Sequence, residues 1–387
     1  MRVLVIAPQP FYQERGTPIA TRMLVEALLS AGHEVDVLTY HCGDDPRIPG
    51  VRVIRAPAVP FVRDVPIGFS LRKVVCDIAL GWRLLTQTRK HEYDVLHAVE
   101  EAVFLSLLLR VRGCRIVYDM DSSLPEQLLG KYGSLRRLEG LLSRFERLAI
   151  ARSDLVLAVC EDLAARARRY GTATPIDVVE DVSLVGQRRP GAVESLRGDL
   201  PDDGVLAMYV GNLERYQGVD LLLDALALVD SAVPFKFVAI GGNAAAVAEY
   251  RARAAELHLS GRVEFVGARP LAGLGDYLAQ ADVLVSPRAS GQNTPMKLYS
   301  YLGAGKPVLA TRIRSHTQVL SDDDALLVEP EPAAMARGLE MLLESPALRE
   351  RLGAAARRLA ATRYSVAQFR SSVANAYRRL ALAPGSA

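Results

Sequence analysis

The chain has 387 residues, of which 50% are hydrophobic and 24% charged, with a formal net charge of +3. Domains usually run to roughly 100–200 residues, so two domains with separate cores are expected. The near-neutral balance carries no footprint of a nucleic-acid binder. Cys42, Cys76, Cys114 and Cys160 lie far apart with no CxxC pair, which argues against a disulfide framework or a zinc site and fits a reducing cytoplasm.

Met1 runs directly into Arg2-Val3-Leu4-Val5-Ile6-Ala7, a stretch too short for the apolar region of a signal peptide. No apolar run approaches the roughly 20 residues of a membrane-spanning helix. The expectation is a soluble, cytoplasmic protein, with peripheral contact at the inner face of a membrane as a further option. Short Val, Ile and Leu runs then alternate with longer helical patterns. Six strands are expected in the first half, at Val3–Ala7, Glu34–Thr39, Val51–Arg55, Val95–Ala98, Arg115–Tyr118 and Leu155–Val159. Five follow in the second, at Leu206–Val210, Lys236–Ile240, Arg262–Val266, Val283–Val285 and Val308–Ala310. Continuous apolar strands separated by helices predict an α/β fold with doubly wound parallel sheets covered on both faces. Such sheets bind ligands beyond the carboxyl ends of their strands.

A polar, Pro- and Gly-containing stretch marks a linker. The expected organisation is a Rossmann-like domain over 1–185, a linker over 186–203, a second Rossmann-like domain over 204–362 and a terminal helix over 363–387 packing back on the first domain. Two segments, Ser70–Lys90 and Lys131–Arg152, are both amphipathic and basic. They read either as sheet-covering helices with solvated outer faces or as a surface for anionic lipid.

The loops after the strands carry the chemistry. Arg15-Gly16-Thr17 precedes the first helix, where free backbone N–H groups offer an anion or hydroxyl site. The stretch is not a GxGxxG fingerprint, which lowers the odds of a nicotinamide enzyme. In the second half, Gly211-Asn212-Leu213-Glu214-Arg215-Tyr216-Gln217-Gly218 follows a strand and opens a helix. Gly241-Gly242-Asn243 ends the next strand in the same manner, and Arg288 through Gln292-Asn293-Thr294-Pro295 leads into a helix bearing Lys297 and Ser300. Glycine loops on consecutive strand ends, with Arg215, Arg288 and Lys297 near them, point to a nucleotide diphosphate.

The order and spacing of Gly32-His33-Glu34-Val35, Gly211 to Gly218, Gly241-Gly242, Phe265-Val266-Gly267 and Gly305-Lys306-Pro307-Val308 resemble the family 4 glycosyltransferases of the GT-B fold. The resemblance covers essentially the whole chain. It implies two Rossmann-like domains facing across a cleft and a metal-independent, retaining transfer of a sugar from a nucleotide-diphosphate sugar. The donor would lie on the C-terminal domain and a glycan or lipid-linked acceptor on the N-terminal one. No cofactor, metal or nucleic-acid partner is implied, and a role in cell-envelope glycan synthesis is.

On this resemblance Asp121, Arg215 and Lys297 are the expected catalytic residues. Gly211, Asn212, Gln217, Gly218, Gly241, Gly242, Arg269, Arg288, Gln292, Asn293, Thr294, Pro295 and Ser300 are the expected donor-site residues. Arg15, Gly16, Thr17, Glu100 and Ser122 are expected on the acceptor side. Asp121 reads either as a carboxylate near the anomeric centre or as a cap for the helix starting near Leu124.

The chain also departs from the family pattern. Asn212 and Gln217 stand where the family usually places cations, and Ser300 and Gln292 at or near its two Glu positions. Two alternatives therefore accompany the transferase reading. One is a non-catalytic GT-B subunit or binding module, and the other a GT-B sugar-nucleotide epimerase.

Overall fold

The computed structural model describes residues 1–14, 16–62, 65, 70–109, 113–131, 137–185, 193–291 and 293–382. The expected site residues Arg15 and Gln292, and most of the expected linker, lie outside them. The chain forms two compact units, one of Met1–Glu180 with Ala367–Ala387, the other of Asp181–Val366.

In the first unit, β1 (Arg2–Ala7), β2 (Glu34–Thr39), β3 (Arg52–Arg55), β4 (Val95–Val99), β5 (Arg115–Met120), β6 (Leu155–Ala158) and β7 (Ile176–Val178) form one sheet of order 3-2-1-4-5-6-7. All its pairings are parallel. The connecting helices are α1 (Gly16–Ser30), α2 (Leu71–Lys90), α3 (Ala102–Leu108), α4 (Leu124–Lys131), α5 (Glu139–Arg152) and α6 (Glu161–Arg169). Helix α2 starts where Ser70 accepts the Lys73 amide at 3.2 Å, and it buries Cys76, Leu80, Leu84 and Gln87 at helical spacing. It ends on Arg89 and Lys90, cations that suit the negative end of a helix. Within the basic stretch Lys131–Arg152, α5 opens only at Glu139, after residues 137 and 138, which are not α-helical.

The second unit repeats the pattern with β8 (Val205–Val210), β9 (Phe235–Ile240), β10 (Val263–Gly267), β11 (Val283–Ser286), β12 (Val308–Thr311) and β13 (Leu326–Val328), in the order 10-9-8-11-12-13 and again all parallel. Its helices are α7 (Val219–Leu228), α8 (Ala244–Glu256), α9 (Leu274–Gln280), α10 (Lys297–Ala304), α11 (Arg314–Thr317), α12 (Pro332–Glu344) and α13 (Pro346–Thr362). Along β8, Val205, Ala207 and Tyr209 enter one core, while Leu206 and Met208 enter the other. Burial on both faces is why these strands are continuous apolar runs without alternation.

The sheets have seven and six strands where six and five are expected. The additional strands, β7 and β13, are three-residue edge strands and only partly buried, so they carry too little apolar sequence to stand out. The break in packing falls at residues 180/181 and 366/367, not at the change in composition. Residues just before β8 are tied into the second unit, through Leu196 N–H to Gln280 Oε1 at 2.8 Å and Arg197 to Asp282 at 2.8 Å. Helix α14 (Val366–Leu382) buries Phe369, Val373, Ala376, Tyr377 and Leu380, and Arg379 pairs with Asp177 of β7.

Candidate functional sites

Each sheet reverses its strand order once, between β1 and β4 in the first unit and between β8 and β11 in the second. Ligands of doubly wound sheets bind beyond the carboxyl ends of strands at such a reversal. The two loop sets singled out in the sequence lie at these ends.

In the second unit, glycine permits three strand ends to meet. Gly218 takes φ +75°, and a Cβ there would lie 1.9 Å from the Pro287 carbonyl oxygen beyond β11. Gly241 takes φ +122°, and its Cβ would lie 1.9 Å from the Gly211 oxygen beyond β8. Real Cβ contacts are never that short, so both positions exclude side chains on steric and backbone grounds. Gly242 beside Gly241 also takes a positive φ, of 79°.

Lys297 opens α10, and its Nζ donates to Gln217 Oε1 at 2.7 Å and lies 4.1 Å from the centroid of the Tyr209 ring. Its pKa is pushed well below the usual lysine value by burial first and by the Arg288 charge second. No carboxylate pairs with it among the described residues. Thr294, one turn earlier and 5% exposed, has a buried hydroxyl without a hydrogen-bond partner among the described residues. Buried polar groups are almost always satisfied, so the Thr294 hydroxyl stands out, and Lys297 Nζ lies 3.3 Å from where a Cβ on Gly211 would stand. Gln217 is thus the neutral acceptor that steadies the lysine.

The other expected donor-site residues have distinct surroundings. Arg215 is exposed; its carbonyl accepts the Gly218 amide at 3.0 Å, and its side chain makes no hydrogen bond or ion pair among the described residues. Arg288 is buried, and donates to the Ser290 and Asn293 carbonyls at 2.8 Å each and to Asn293 Oδ1 at 3.2 Å, so it shapes the loop. Arg269 donates to Glu194 at 2.6 Å and to the Val266 carbonyl at 2.6 Å. Asn212 accepts the Tyr209 hydroxyl at its carbonyl and the Glu214 amide at its side chain, at 2.5 and 3.4 Å. Pro295 is buried, and its carbonyl accepts the Leu298 amide at 3.0 Å. Ser300 is buried and accepts the Leu184 amide at 3.4 Å.

Beneath this loop lies a buried network that sequence reading missed. Ser286 ends β11, Thr311 ends β12 and His316 lies on α11, all fully buried. His316 Nδ1 is 2.8 Å from the Thr311 carbonyl and Nε2 is 3.0 Å from Ser286 Oγ. A carbonyl only accepts, so Nδ1 carries the hydrogen and Nε2 accepts from Ser286. Thr311 Oγ1 donates in turn to the Arg288 carbonyl at 2.5 Å. Burial, with Lys297 and Arg288 nearby, pushes the His316 pKa down to about 3 and keeps the ring neutral. The sequence signal was faint: two polar residues closing apolar strands.

In the first unit, Gly16 opens α1 and is exposed, and a Cβ there would meet nothing within 4 Å. Thr17 beside it is half-buried. At the end of β4, Glu100 takes φ +50°, a conformation uncommon outside glycine. Its carboxylate accepts the Ser122 hydroxyl at 3.0 Å, and its amide donates to the Asp119 carbonyl at 2.9 Å. Ser123 donates to Glu146 at 2.7 Å, and Glu146 is also bound by Arg166 and Tyr170. Asp121 is half-buried between these anchors, three residues before α4.

Helix α2 brings two more charges to the same strand ends. Lys73 pairs with Glu101, whose carboxyl is pushed up to about 7 by burial and then by Glu100, against the pull of Lys73. Asp77 accepts the Tyr40 hydroxyl at 2.5 Å. No group of three or more His, Cys, Asp or Glu side chains able to hold a metal occurs among the described residues.

Comparison with known proteins agrees with this architecture. The family model for glycosyl transferases group 1 matches residues 194–359, and that for glycosyltransferase family 4 matches residues 15–180. The phosphatidyl-myo-inositol mannosyltransferase of Mycobacterium tuberculosis is 27% identical over 390 residues, covering 98% of this chain and 97% of that protein. The sucrose-phosphate synthase of Thermosynechococcus elongatus superposes with a TM-score of 0.82 at 22% identity, covering 99% of this chain and 100% of that one. The UDP-glucose complex of HepE from Anabaena gives a TM-score of 0.71 at 17% identity, covering 98% and 100%. The chain belongs to the family 4 glycosyltransferases and is built on the GT-B fold.

Proposed function

We propose that this glycosyltransferase moves a sugar from a nucleotide-diphosphate sugar, held on the Asp181–Val366 unit, to a lipid-linked or glycan acceptor on the other unit. The observation that carries the reading is the half-buried Lys297 ammonium, whose partners among the described residues are Gln217 and the Tyr209 ring, on a helix preceded in sequence by the unsatisfied Thr294 hydroxyl. A diphosphate supplies what both lack. Arg215 is free to approach the same charge from solvent. Side-chain cations and the α10 N-terminus can carry the leaving diphosphate without a metal, and retention of configuration accompanies the family resemblance. On the acceptor side, Asp121 would face the reacting centre, and Gly16 leaves room for close approach.

The relatives' names support a lipid acceptor, as does the outer surface of the first unit. Leu71, Val75, Ile78 and Trp82 form an exposed apolar stripe on α2, and Leu138, Leu141, Phe145 and Leu148 form one along α5. Arg72, Arg83, Arg89 and Lys90 flank the first, and Arg137, Arg144, Arg147 and Arg152 the second. Apolar stripes bordered by cations fit an anionic bilayer surface. No helix among the described residues is long and apolar enough to cross one. The site of action would then be the cytoplasmic face, in envelope glycan synthesis.

A second reading, a member that binds nucleotide without turnover, draws on Ser300, whose hydroxyl faces the Leu184 amide. Thermal melting with UDP, GDP and ADP, followed by hydrolysis assays with their sugars in the presence of EDTA, decides between them. Stabilisation with turnover supports transfer, and stabilisation without turnover supports the second reading. No stabilisation by any nucleotide sinks both. Lys297→Met should lower nucleotide affinity about 10–100-fold, the range for losing a hydrogen bond to a charged group. It should also raise the melting temperature of the free protein by about 2 °C, because a desolvated ammonium with no carboxylate partner among the described residues is removed.

A further inference from the structure

Tyr377 lies on α14 and is fully buried. Its hydroxyl is 2.8 Å from Nδ1 of His97 in β4, across 280 residues of sequence. The two rings stack at 13° with centroids 6.1 Å apart. His97, also fully buried, places Nε2 3.1 Å from Asp119 Oδ2 in β5. A carboxylate only accepts, so Nε2 carries the ring hydrogen. In the neutral ring Nδ1 is then an acceptor, and the Tyr377 hydroxyl donates to it. Burial, and Asp119 after it, raise the Tyr377 pKa far above the usual phenol value, which keeps that proton on the oxygen. Donation therefore runs in one direction, from Tyr377 through His97 to Asp119.

Asp119 is where this chain of bonds reaches the loop that bears Asp121. Its carbonyl accepts the amide of Glu100, the residue held at positive φ. Ser122 and Ser123 hold the far end of the same loop through Glu100 and Glu146. Filling the space beneath the sheet would need only a phenylalanine and an apolar strand residue. A fully satisfied polar chain adds orientation that packing lacks.

We propose that Tyr377 is a positioning residue for the acceptor-side loop: acting through His97, it fixes the Asp119 carboxylate and with it the presentation of Asp121. This rests on the acceptor role proposed above for the first unit.

The test compares Tyr377→Phe with Val373→Ala in the full chain. Val373 is a buried residue one turn earlier on α14, outside the chain of bonds. Hydrogen exchange by mass spectrometry is followed over residues 96–101 and 115–126, alongside melting temperature and the kcat and KM for hydrolysis of GDP-mannose and UDP-glucose. Tyr377→Phe should speed exchange in these two segments and lower kcat about tenfold, as for one lost buried hydrogen bond, with donor KM within about twofold. Val373→Ala should lower the melting temperature at least as much while leaving exchange there and kcat near wild type. Wild-type exchange in Tyr377→Phe overturns the proposal, as do effects in both variants that simply track melting temperature. Faster exchange confined to Tyr377→Phe, in a protein that hydrolyses no donor, supports the chain of bonds and counts against glycosyl transfer.

Discussion

At the scale of single residues, the second unit sets a cation against the neutral side chain at one of the positions where the family pattern has a cation. Gln217 stands where the family pattern has a cation, yet its amide oxygen holds the Lys297 ammonium at 2.7 Å. The charge arrives from α10 rather than from the Gly211–Gly218 loop. The first unit holds buried charge as well. Asp77 accepts the Tyr40 hydroxyl, and burial pushes its carboxyl up to about 6 against the opposing pull of Tyr40 and Lys73. An unfolded Asp titrates near about 4, so between about pH 4 and 6 the folded chain holds more protons than the unfolded one. For a carboxyl with a raised pKa, that contribution is full below the unfolded value and is lost as pH rises through the folded one. Asp77→Asn keeps an acceptor for Tyr40 and should flatten the fall in stability from pH 4 to 7, measured by urea melts. An unchanged slope would show that Asp77 is not the group responsible.

At the scale of elements, the donor-side loops are built by backbone approach more than by side chains. The Gly218 loop and the Pro287 loop touch where a Cβ would lie 1.9 Å from a carbonyl oxygen, and the same holds for Gly241 against Gly211. Gly218→Ala must move one loop away from the other and also strain a φ of 75°. The expected penalty is about 1–3 kcal/mol from strain alone, or roughly 2–12 °C in a unit of this size. Nucleoside diphosphate binding should fall more steeply than stability, because Gln217, the partner of Lys297, adjoins Gly218. Gly16→Ala has open space around it, and its melting temperature should stay near that of wild type in calorimetry.

At the scale of the molecule, two sheets of the same winding each place their strand-order reversal where the chemistry-bearing loops emerge. The last helix belongs to the first unit although the chain reaches it from the second. The outer stripes of α2 and α5 offer a direct assay. The full chain should float with anionic vesicles at low salt and release as salt screens the flanking arginines. Trp82→Glu or Phe145→Glu should abolish flotation without changing nucleotide binding. Flotation that survives both substitutions would place the contact elsewhere.

The sequence by itself determined the fold class and the strand-end loops, because buried parallel strands are written as apolar runs and loops with positive φ are written as glycine. Of the residues singled out there, the structure brings Gly241 and Lys297 against Gly211. Sequence reading missed β7 and β13, whose three residues leave hardly any pattern, and took one basic stretch for a single helix. Only the tertiary structure decided what each polar side chain faces. Arg288 turned to its own loop, Gln217 to Lys297 and Ser300 to a backbone amide, while Ser286, Thr311 and His316 formed a buried support. The same holds for His97 and Tyr377, separated by 280 residues and joined by one hydrogen bond. Hydrophobic burial repeats along the chain and leaves a local period, whereas a hydrogen bond between distant residues depends on where the fold brings two atoms and leaves none.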